Sequence, residues 1–76
     1  MTRDEWIAAF AAEAGVPAPS IEQIRELLEL AGTAAHSSER TAAPLACWIA
    51  ARSERPLAEL SAAAERVSPG GSDEQP

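Results

Sequence analysis

A chain of 76 residues allows one domain and buries only about 60% of the surface that its unfolded form exposes. One cysteine and one histidine exclude an intramolecular disulfide and are too few for a zinc site, the two staples on which very small domains often rely. Six Arg, no Lys and twelve Asp or Glu give a net charge of −6, which argues against nucleic acid and anionic membrane surfaces, because both are bound by neutralising phosphates.

Alanine, the strongest helix former, is abundant, tyrosine is absent and β-branched residues are few, so the chain reads as all-α. The first helix lies in TRDEWIAAFAAEAG, with Thr2 or Asp4 as N-cap and Gly15 in the place of a left-handed C-cap. Its apolar stripe is Trp6, Ile7, Phe10, Ala11 and Ala14. The prolines at 17 and 19 end it. SIEQ, Ser20 to Gln23, is a capping box that opens a second helix. Ile21, Ile24, Leu27, Leu28, Ala31, Ala35 and Ser38 form its inner face, and continuation through Gly32 towards Glu39 is favoured over a stop at the glycine.

Thr41 is the next N-cap, with Pro44 in the first turn of a third helix from about Ala42 to Arg52. Leu45, Trp48 and Ile49 are its expected buried stripe, with Ala42 and Ala46 letting another backbone approach. A fourth helix follows Pro56 and ends near Val67, its stripe being Leu57, Leu60, Ser61, Ala64 and Val67. SPGGSDEQP, Ser68 to Pro76, has the composition of a disordered tail. The expected architecture is a compact bundle of four short helices over residues 1–67, antiparallel or orthogonal, with residues 68–76 as the tail. So few large side chains are available that a homodimer burying part of Trp6 or Trp48 is expected as an option beside the monomer.

The chain offers little chemistry. His36, Glu39 and Arg40 fall at i, i+3 and i+4, which on a continuous helix puts them on one side. A carboxylate can orient an imidazole and an arginine can hold an anion, so these three are the candidate ligand-binding or partner-binding residues. The competing reading is a solvated helix junction, with Arg40 paired to neighbouring acids and His36 near the last carbonyls of its helix. Cys47, between Leu45 and Trp48 in an apolar helix, lacks the basic neighbour of a reactive thiol and is expected to be buried and inert. There is no glycine-rich phosphate loop, HExxH pair or nucleophile elbow. The expectation is therefore a protein with no catalytic residues, no metal and no cofactor. Met1 to Glu5 is polar and no apolar run approaches about 18 residues, so neither a secretory leader nor a membrane span is expected and the cytoplasm is the expected compartment.

DEW at 4–6, LLELAGTAAHSSER at 27–40 and AAPLACWIA at 42–50 together resemble a small helical domain of unknown function from high-GC bacteria. That domain occurs alone or at the C-terminus of molybdenum cofactor guanylyltransferases, which join GMP to molybdopterin. The resemblance runs from Asp4 to about Ala51, and the family pattern often has a proline where this chain has Thr41. A transferase begins with a glycine-rich nucleotide loop that this chain lacks. The resemblance thus implies a non-catalytic accessory or binding module in the synthesis of molybdopterin guanine dinucleotide, partnered by the guanylyltransferase or a molybdoenzyme, with His36, Glu39 and Arg40 as its distinctive polar cluster. The alternative is a generic homo-oligomeric interaction module.

Overall fold

The computed structural model describes residues 1–69, and every regular element among them is a helix: α1 (Arg3–Ala14), α2 (Ile21–Ser37), α3 (Ala42–Ser53) and α4 (Leu57–Val67). The all-α, four-helix expectation is met. Two helix starts are set by reciprocal caps. The Thr2 hydroxyl accepts from the Glu5 N–H at 3.0 Å while the Glu5 carboxylate accepts from the Thr2 N–H at 2.9 Å, so Thr2 and not Asp4 is the cap. Ser20 and Gln23 repeat the arrangement at 3.1 and 2.8 Å. Each box satisfies two backbone donors that would otherwise lack a partner. Gly15 closes α1 at φ 79°, and the paired bonds from Gly15 N–H to Ala12 O and from Val16 N–H to Ala11 O are those of a Schellman motif.

α2 runs through Gly32 but stops at Ser37, short of Glu39. The cause is local: Ser38 leaves helical geometry at φ −142°, ψ −95°, and both its N–H and its hydroxyl donate to the Ala34 carbonyl. A serine side chain that takes the backbone's own acceptor competes with helix continuation. Gly32 itself serves no close approach, since a Cβ built there meets nothing within 4 Å. Gly32→Ala is therefore expected to stabilise the fold by about 0.8–1.0 kcal/mol through helix propensity, raising the thermal midpoint by roughly 4–8 °C; an unchanged or lower midpoint in a calorimetric scan would refute this.

α2 is the central element, packing against both α3 and α4, whereas α1 touches the other helices only sparsely. Its anchor is Ile7, which meets Pro19, Ile24, Leu27 and Leu28 around a small apolar cleft. Among the described residues the buried ones are few: Ala11, Leu30 at 4% exposure and Ala50 at 5%. Three expected inner faces are thereby corrected, and on α4 Val67, the last residue of its expected stripe, is exposed as well. On α1, Trp6, Phe10 and Ala14 are exposed and only Ile7 and Ala11 turn inward. On α2, Ile21 and Leu28 are exposed and Leu30, outside the expected stripe, is the most buried large side chain.

The third correction is an inversion. Leu45, Trp48 and Ile49 on α3 are each more than 60% exposed, and the inward side is Ala43, Ala46, Cys47 and Ala50. Small side chains on this side let the α3 backbone approach α2 closely, and close packing there supplies the dispersion contacts that hold the pair.

The connections are tight. Thr41 makes no side-chain cap and is already helical; the carbonyls of Glu39 and Arg40 accept from the N–H groups of Ala42 and Ala43 and lead the chain into α3. Glu54 ends α3 in the left-handed region at φ 60°. Ser68, assigned by composition to the tail, is held to the body: the Ser37 hydroxyl donates to Ser68 Oγ, and the Ser68 hydroxyl donates to the Ala64 carbonyl, each at 2.7 Å. Residues 70–76 of the expected tail lie outside the described residues.

Candidate functional site

The early end of α2 decides the geometry of the expected polar cluster. His36 lies in the last turn of α2, whereas Glu39 and Arg40 lie in the step to α3. The three do not share a helix face. All are exposed, and among the described residues their side chains make no hydrogen bond or ion pair; the ion pairs found there are Arg3 with Asp4 and Arg55 with Glu59. Arg40 is thus not tied to a neighbouring acid, and His36 does not serve the carbonyls at the end of its helix. The residues form a solvated polar corner at the α2–α3 junction.

That corner adjoins a large apolar surface. From Leu45 near its beginning, the outer face of α3 continues through Trp48 and Ile49 to Arg52, positions i, i+3, i+4 and i+7 on one side of a helix. The Arg52 guanidinium lies over the Trp48 ring, 4.9 Å from its centroid, a cation–π contact that leaves the other ring face free. Beside this face a groove of about 290 Å³ opens between α2, α3 and α4, lined by Leu30, Ala46, Ile49, Leu60, Ala64 and Val67. Its wall is almost wholly apolar, so it offers shape and burial and no polar groups to orient a small ligand.

Trp48 and its neighbours are what the sequence concealed. Both sides of α3 are apolar, one with small residues and one with large, and hydrophobic spacing alone favours the large ones as the core. The signal that points the other way is the absence of any larger residue among positions 43, 46, 47 and 50.

Elsewhere, two of the polar groups that line a cleft are already engaged. A more polar cleft of about 420 Å³ between the α1–α2 and α3–α4 connections has Gln23, Glu54 and Arg55 in its wall, but Gln23 serves the Ser20 cap and Arg55 pairs with Glu59 at 3.3 Å. Cys47 is half-buried and free, more accessible than expected. Among the described residues no three His, Cys, Asp or Glu side chains gather as they would around a metal ion, and no helix is long and apolar enough to cross a membrane.

No curated protein matches this chain, and no solved structure matches it either. The capping boxes, the leucine-bearing α2 and the α2–α3 step all lie within residues 1–71, the span matched by the profile of the domain of unknown function DUF6457. The chain belongs to that family.

Proposed function

We propose that this domain is a non-catalytic helical interaction module. The observation that carries this reading is the outer face of α3: Leu45, Trp48 and Ile49, each more than 60% exposed, form one apolar stripe with Arg52 at its end. Contiguous apolar surface of this kind marks a contact site, and tryptophan and arginine are the side chains that most often dominate the energy of such contacts. The resemblance to a domain fused to molybdenum cofactor guanylyltransferases nominates the synthesis of molybdopterin guanine dinucleotide as the setting. The transferase, or a molybdoenzyme it supplies, is then the partner, with His36, Glu39 and Arg40 meeting it at the polar corner.

Arg40→Ala and His36→Ala test this directly. Each is expected to weaken co-purification with the guanylyltransferase several-fold and to leave the thermal midpoint nearly unchanged, because an exposed unpaired side chain contributes well under about 1 kcal/mol to folding. Failure of the unmutated domain to bind the transferase, with both variants losing stability, would make the corner a structural joint. A homo-oligomeric module is the second reading, favoured by the two sets of large apolar side chains that the chain exposes on different helices, Trp6 and Phe10 on α1 and the α3 stripe.

A further inference from the structure

We propose that the domain forms a two-fold dimer in which α1 of each copy lies along the outer face of α3 of the other. This rests on the interaction-module reading and names the occupant of the α3 face as a second copy of the chain.

The two faces match in pattern, spacing and charge. On α1, Trp6, Phe10 and Glu13 fall at i, i+4 and i+7 and share one side, while Ile7 and Ala11, turned about 100° further round the helix, face the chain's own α2. The Trp6 and Phe10 rings stack with centroids 5.2 Å apart and are both more than half exposed, forming one aromatic ridge. On α3, Leu45, Trp48, Ile49 and Arg52 share one side over the same seven-residue span. At 1.5 Å per residue both stripes run about 10 Å from an apolar end to a charged end. Side by side and parallel, they bring Trp6 and Phe10 against Leu45, Trp48 and Ile49, and Glu13 against Arg52.

Charge selects this pairing over α3 against α3. α3 contains one arginine and no acidic residue, whereas α1 contains Asp4, Glu5 and Glu13 against Arg3. Two α3 helices together hold two arginines and no acidic residue, so α3 against α3 gives Arg52 no carboxylate, whereas α1 gives it Glu13. Arg52 lies over Trp48 with no carboxylate partner among the described residues, free to receive Glu13.

The area is sufficient. Aromatic side chains bury roughly 150–250 Å² each and leucine and isoleucine somewhat less; if the exposed parts of Trp6, Phe10, Leu45, Trp48 and Ile49 are wholly covered they contribute at most about 600 Å² per copy and about 1,200 Å² for two, which reaches the lower bound of stable interfaces. α1 is also the helix least held by its own chain, so it meets a second copy at little cost in internal packing.

The test is sedimentation of the full chain and of two exposed-site variants, Phe10→Asp and Trp48→Asp, with far-UV circular dichroism to show unchanged helicity. The unmutated chain is expected to be dimeric and each variant monomeric at about 100 µM, beyond the micromolar limit typical of standard interfaces. Ala12→Asp, on another side of α1, leaves the dimer intact. Arg52→Glu and Glu13→Arg each raise the dissociation constant several-fold, and their combination restores it. A monomeric unmutated chain, or a dimer indifferent to Phe10→Asp, overturns the proposal. Binding of the transferase is measured separately, so an unmutated chain that is monomeric and still binds the transferase overturns this inference and leaves the module reading standing.

Discussion

Ala50→Asp is expected to abolish the cooperative fold at 25 °C. Ala50 is 5% exposed on the inward side of α3, beside Leu30, Leu60 and Ala64. A carboxylate forced into such a position without a cationic partner costs about 3–5 kcal/mol. Aspartate is too short to carry its charge out to solvent as a longer side chain can. A domain of this length has about 4–10 kcal/mol of stability in all, so the loss is comparable with the total. Ala51→Asp is the control: the neighbouring position is exposed on the same helix, and the change costs the helix the same propensity, about 0.7 kcal/mol. Denaturant titrations followed by circular dichroism separate the two. Equal tolerance of both substitutions would show that α3 packs by some other side.

Leu30→Ala is the second large effect. Leu30 is the most buried large side chain, and it stands where α2 meets both α3 and α4. Removing a buried leucine side chain costs about 2–5 kcal/mol, the amount depending on the cavity left behind. Here the side chain also borders the open groove, so part of the space created joins solvent-accessible volume, which sets the expectation at about 2–3 kcal/mol and a midpoint lowered by roughly 10–20 °C. Leu45→Ala, at a position 65% exposed, is expected to change stability by less than about 0.5 kcal/mol. Calorimetry on both variants checks the ratio, and similar losses would contradict the inverted orientation of α3.

Much of the secondary structure was legible because its signals are local. The Thr2–Glu5 and Ser20–Gln23 boxes, Gly15 after α1 and the prolines of the connections each act within a few residues, and all four helices are found close to their expected bounds. The end of α2 was less legible, because Ser38 decides it through a bond to Ala34 that competes with the spacing of Ala34, Ala35 and Ser38. The packing was the least legible. Hydrophobic spacing identifies a helix face by contrast with polar residues, and α3 has almost none; which apolar side turns inward depends on how closely α2 can approach. The site followed the same division. His36, Glu39 and Arg40 stand at the α2–α3 junction, but their expected placement on one helix side depended on an α2 that ran two residues too far.

The light attachment of α1 has a consequence for how this domain can change over generations. Stability resides in α2, α3 and α4, where Leu30 and Ala50 sit, and most substitutions at such buried positions push a small domain towards its folding threshold. α1 carries its caps within itself and turns only Ile7 and Ala11 inward, so its outward residues are nearly exempt from that constraint. Selection for a durable fold therefore falls chiefly on α2, α3 and α4, and the outward side of α1 is left to selection for what it recognises. New specificities are open to drift at Trp6, Phe10 and Glu13 without compensating changes in the core.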